Sequence, residues 1–113
     1  MTSTLLRPAF GILLVLGVPA LPARDASSPI PVILKDHQFQ PAEIKVPAGK
    51  PAVLEVANQD GQPEEFESKP MGVEKVIPAG AKMLIRLRPL KPGRYAFVGE
   101  YHEKTAKGAV IAE

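Results

Sequence analysis

The chain reads as an all-β protein, an antiparallel Greek-key sandwich of seven or eight strands. Three observations predict this. Apolar residues recur at every second position in short runs. Thirteen prolines and nine glycines punctuate those runs. Beyond the N-terminal region, no window carries apolar residues at the 3.6-residue spacing of a helix. Alternation gives each strand one buried and one wet face, and two such sheets bury their apolar faces against each other.

The runs follow in order. Ile30–Phe39 (IPVILKDHQF) is the first. Ala42–Val46 alternates and stops at the turn signal PAGK. Ala52–Ala57 (AVLEVA) ends in the loop NQDGQP. Glu64–Ser68 (EEFES) and Val73–Ile77 come next, the second closed by another PAG. The two PAG turns each precede a strand and are expected at the same end of the sandwich. In Lys82–Leu90, Met83, Ile85 and Leu87 alternate with Lys82, Arg86 and Arg88. KPG leads into Tyr95–Val98, and Ala109–Ala112 is the last run.

The N-terminus predicts an export signal. Arg7 precedes an apolar run of twelve residues, Ala9–Ala20, too short for the ~20 residues that cross a bilayer. Pro19 and Pro22 break the run where a membrane anchor would continue. Cleavage is expected after the small residues Ala23 or Ala26. The organisation expected is a leader and cleavage region over 1–26 and one domain over 27–113, delivered to the periplasm. The net charge of +2 has no basic tract or phosphate loop behind it, which argues against nucleic acid. There is no cysteine, so neither a disulfide nor a thiolate ligand exists.

Metal-binding side chains gather at strand ends. His37 closes the first run. Glu64, Glu65, Glu67 and Met71 follow the third. Glu100, His102 and Glu103 follow the strand containing Tyr95 and Phe97. Within EEFES, Phe66 is the better core residue, so Glu65 and Glu67 are expected to point away from the core. Glu100 and His102 lie two apart and share a face if extended. Each has an ordinary reading as well: His37 as a solvated strand end, the glutamates as a charged strand, Met71 as loop filler. Met83, on an apolar strand face, reads as core.

The segments HQFQPAEIKVPAGKPAVLEVANQDGQPEEFES and PGRYAFVGEYHEKTAKGAVIAE together resemble the cupredoxin family. The resemblance covers nearly all of 27–113. It places His102 where that family has its second histidine ligand. Glu64, after Pro63, stands where the first histidine is expected, Gly99 where the cysteine is expected, and no methionine lies between His102 and Gly108. The departures are similar to those of the cupredoxin-like branch of bacterial iron uptake: the EfeO-type cupredoxin domain, or small proteins encoded beside a ferrous-iron permease of the Ftr type. The resemblance implies copper, as a type-2-like Cu²⁺ site, or iron, bound by carboxylates and imidazole. It also implies a part in oxidising Fe²⁺ or delivering it to an inner-membrane permease; the alternative is a copper carrier without catalysis, and a homodimer stays open. The ligand set expected is His102, Glu100, Glu65, Glu67, His37 and Met71, with Glu64 set lower because alternation separates it from Glu65.

Overall fold

The structure is a computed structural model and describes residues 28–113. The expected leader over 1–26 lies outside the described residues. No helix among the described residues is long and apolar enough to cross a membrane.

Among the described residues, nine strands form two sheets. They are β1 (Ile30–Lys35), β2 (Gln38–Gln40), β3 (Glu43–Val46), β4 (Ala52–Asn58), β5 (Glu64–Ser68), β6 (Val73–Ile77), β7 (Lys82–Leu87), β8 (Gly93–Gly99) and β9 (Lys107–Ala112). A 3₁₀ turn, Glu100–His102, follows β8. One sheet has the order β2-β1-β4-β7, the other β3-β9-β8-β5-β6.

The sandwich is as expected, with three differences. The sheets are mixed: β1 pairs parallel with β4, and β3 with β9. Alternation reports which face a residue takes and is silent on strand direction, so the wholly antiparallel expectation had no signal to correct it. The first run is two strands, not one, because Asp36 and His37 form a two-residue hairpin turn pairing Lys35 with Gln38. Their φ values, 53° and 56°, are those of the primed turn that suits strand twist. The two PAG turns lie at opposite ends, since β4 and β7 are antiparallel with Ala52 opposite Leu87.

The core joins both sheets. Phe39, Phe66 and Phe97 meet at its centre, with Phe66 stacked on Phe97 at 4.6 Å and Phe39 edge-on to both. Val32, Leu34, Leu54, Val56, Ile77 and Ile85 surround them, each at most 1% exposed. Truncating one of these phenylalanines to alanine costs roughly 3–5 kcal/mol. The packing matters for function because β1–β2, β4–β5 and the segment after β8 all emerge at one end of this core.

Candidate metal centre

Among the described residues, three polar residues are buried: Asn58, Glu64 and Ser68. Glu64 and Ser68 share the inward face of β5 with Phe66. Glu64 sits at the end of that face, so its carboxylate reaches the rim of the core. There it is fully engaged. Oε1 accepts hydrogen bonds from the Tyr101 N–H (2.8 Å) and the Glu65 N–H (3.1 Å). Oε2 lies 2.5 Å from Nδ1 of His102. These contacts meet the demand that a buried charge be paired.

Gly99 explains how the carboxylate fits. It is the last residue of β8, buried beside Glu64. A Cβ at that position would lie 2.7 Å from the Glu64 Cδ, 2.9 Å from its Oε1 and 2.7 Å from the Ala106 Cβ. The space that a side chain at 99 would take is filled by the Glu64 carboxylate.

His102 closes the 3₁₀ turn and is held from behind, its carbonyl accepting from the Ala106 N–H at 2.9 Å. On its other face lies His37. The two imidazole rings are 3.6 Å apart and 13° from parallel. His37 in turn has the Asp60 Oδ2 3.4 Å from its Nδ1. Asp60 caps the hairpin turn, accepting from the Asp36 N–H (2.7 Å) and the His37 N–H (3.0 Å). Asn58 anchors Asp60: its Oδ1 accepts the Asp60 N–H, while its Nδ2 donates to the Gln62 and Ile77 carbonyls. Burial alone would push the Asp60 carboxyl up. The His37 and Asp36 N–H groups outweigh it, with the positive charge of His37 and His102 when protonated, and hold Asp60 below the ordinary carboxylate range.

His37, Glu64 and His102 each offer one donor atom, all within 4.8 Å of one another. Nitrogen and carboxylate oxygen suit Cu²⁺, Fe²⁺ or Zn²⁺, and with no sulfur the set does not fit a blue-copper centre or favour Cu⁺. His102 Nδ1 and Glu64 Oε2, 2.5 Å apart, are hydrogen-bonded, and they must separate to roughly 3.3 Å to act as adjacent tetrahedral ligands with ~2.0–2.1 Å bonds. The stacked rings cannot serve one ion together as placed. An ion midway between them would lie ~1.8 Å out of each ring plane, whereas imidazole binds in its plane at ~2.0–2.1 Å. His37 has to turn off the face of His102 to join the set.

The other expected ligands fall elsewhere. Glu65 and Glu100 meet Glu74 in a second cluster, one oxygen from each within 4.8 Å. A hydrogen bond to Glu67 raises Glu100, although its hydrogen bond to Glu65 works the other way. A hydrogen bond to Glu65 likewise raises Glu74. Tyr101 is raised by desolvation and then by the charge of Glu65. Glu65 and Glu67 point away from the core as alternation predicts. Met71 is 4% exposed, packs in the core, and follows the far end of β5, about 13 Å along the strand from Glu64. The structure thus brings His37 and His102 to Glu64, keeps Glu65, Glu67 and Glu100 beside them on the outer face, and separates Met71. Asp60 and Asn58 lie in the NQDGQP stretch, whose polar composition reads as an ordinary loop. The signal for Glu64 was available: it has the same strand parity as Phe66.

Comparison with known proteins agrees with this architecture. The cupredoxin-like domain family matches residues 8–112. An uncharacterized protein of Rickettsia prowazekii, RP394, is 38% identical over 82 residues, covering 73% of this chain and 66% of that protein. A copper binding protein solved in its apo form by NMR superposes with a TM-score of 0.68 at 20% identity, covering 79% of this chain and 90% of that one. The metal binding domain of the Cu(I) exporting P-type ATPase CopA of Streptococcus pneumoniae gives 0.66 at 19% identity, covering 79% and 88%. Auracyanin A of Chloroflexus aurantiacus, a blue copper protein, gives 0.65 at 11%, covering 77% and 99%. With that fold and this extent of match, the chain belongs to the cupredoxin-like domain family.

Proposed function

We propose that this protein is a periplasmic metal carrier whose cargo is a divalent ion, taken up between His102, Glu64 and His37. The observation that carries the reading is the convergence of these three side chains, from three separate segments, at one end of the core. His102 Nδ1 and Glu64 Oε2 form the first bidentate edge once the proton between them is released. His37 supplies the third donor after its ring turns. Glu64 cannot retreat, because Gly99, Ala106 and two backbone N–H groups fix it.

Cu²⁺ binds most tightly among the first-row divalent ions at such a nitrogen–oxygen set. Supply, rather than affinity, would make Fe²⁺ the cargo, delivered to a membrane permease as the resemblance to iron-uptake cupredoxins implies. The copper-carrier reading is favoured by the copper proteins that share the fold.

Calorimetric titration of the protein with Cu²⁺, and with Fe²⁺ under anaerobic reducing conditions, tests the reading. One ion per chain is expected, with His102→Ala weakening it by about tenfold or more. Absence of stoichiometric uptake of either ion would overturn it. Binding of Cu²⁺ with no uptake of Fe²⁺ would leave the copper carrier and remove the iron role.

A further inference from the structure

We infer that Asp60 is the positioning residue of this site: it holds His37 in place for the ion, acting through His37 and without binding the ion itself. The inference rests on the proposed metal-carrier reading.

Four observations converge on Asp60. The turn it caps is built from Asp36 and His37, both non-glycine residues in the left-handed region, which L side chains adopt at a cost. Both N–H groups of that turn are accepted by the Asp60 carboxylate, one by each oxygen. The same Oδ2 lies 3.4 Å from His37 Nδ1, so the carboxylate that pins the backbone also stands beside the imidazole. Asp60 is itself tied to Asn58, which is 1% exposed and bonded across to the Ile77 carbonyl.

The arrangement suits a ligand that must move without being lost. The backbone of His37 is pinned by the carboxylate, while its side chain, 38% exposed, has solvent to turn into. Asp60 is only 11% exposed, and among the described residues its one ion-pair partner is His37.

The test combines Cu²⁺ affinity with electron paramagnetic resonance, which reports how many imidazole nitrogens couple to copper. The variants are Asp60→Asn, His37→Ala and the pair. Asp60→Asn should lower affinity about tenfold or more, as loss of a ligand's supporting partner does. The spectrum should fall from two coupled nitrogens to one, as in His37→Ala. Added to His37→Ala, Asp60→Asn should change affinity no further. Asp60→Asn with two coupled nitrogens and parental affinity overturns the inference. So does an equal loss in both backgrounds, because Asp60 would then act independently of His37. If Asp60→Asn fails to fold, Asp36→Gly in that background relieves one left-handed position and allows the same comparison. Parent protein that takes up no Cu²⁺ overturns the carrier reading and Asp60's role with it. Intact binding with an indifferent Asp60 overturns only the role.

Discussion

His37 lies flat on His102, 3.6 Å away, with the two rings 13° from parallel. Lone pairs in parallel planes do not meet, so uptake of one ion by both rings requires the stack to open. Each ring shields the protons of the other while stacked. On titration with diamagnetic Zn²⁺, the imidazole proton resonances of both residues should move downfield together. Shifts confined to His102 would show that His37 takes no part.

Glu64 is 1% exposed and bonded at both oxygens. Glu64→Gln keeps the shape and one acceptor, and removes the charge that a divalent ion needs. Cu²⁺ affinity should fall by about tenfold or more, while the fold persists. Glu64→Ala also strands buried N–H groups, at about 1–3 kcal/mol each where water cannot reach them. Calorimetry with urea unfolding separates the two effects. A Gln variant that binds as tightly as the parent would take Glu64 out of the site.

Asn58 joins the core to the site through three hydrogen bonds, at a position 1% exposed. Asn58→Ala should therefore lower unfolding stability by roughly 2–4 kcal/mol, far more than a typical surface change. Urea denaturation measures this directly. A loss under about 0.5 kcal/mol would mean that water replaces the amide.

Glu74 stands opposite Glu67 across β5–β6 and hydrogen-bonds to Glu65, which raises its carboxyl above the ordinary value. A carboxylate raised in the folded chain binds its proton more tightly folded than unfolded. Its effect on stability is thus unfavourable at neutral pH, and is relieved as pH falls through the folded value. Glu74→Gln should raise Tm slightly at pH 7, and the gain should vanish by about pH 4, near the unfolded glutamate value. A gain that persists unchanged at low pH would show that charge is not its cause.

With no thiol in the chain, the Cu²⁺ complex should be pale and show an ordinary type-2 resonance. An intense blue absorption from the monomer would contradict the nitrogen–oxygen ligand set.

Much of this architecture is legible in the sequence. Alternation in Glu64–Ser68 places Phe66 inward and Glu65 and Glu67 outward, as the structure has them. It places Glu64 inward too, but a charged residue is a poor core candidate until its partners are known. Those partners come from Tyr101 and His102, 37 and 38 residues away in the chain. Asp60 sits in a loop whose polar composition looks ordinary, and only the folded hairpin shows which N–H groups it caps. The Asp36–His37 turn lacks the glycine that advertises a primed turn. The parallel pairs left no trace in periodicity. Met71 follows a strand that carries ligand candidates at its other end, and sequence adjacency could not tell one end from the other.

The crowding between Glu64 and Gly99 limits what position 99 can hold. A side chain at 99 would meet the Glu64 carboxyl carbon and the Ala106 Cβ, each at 2.7 Å, so it forces both neighbours to shift. Occupying position 99 therefore displaces the carboxylate from the place where it meets His102. The carboxylate and a side chain at 99 compete for one volume, and this scaffold has room for one of them.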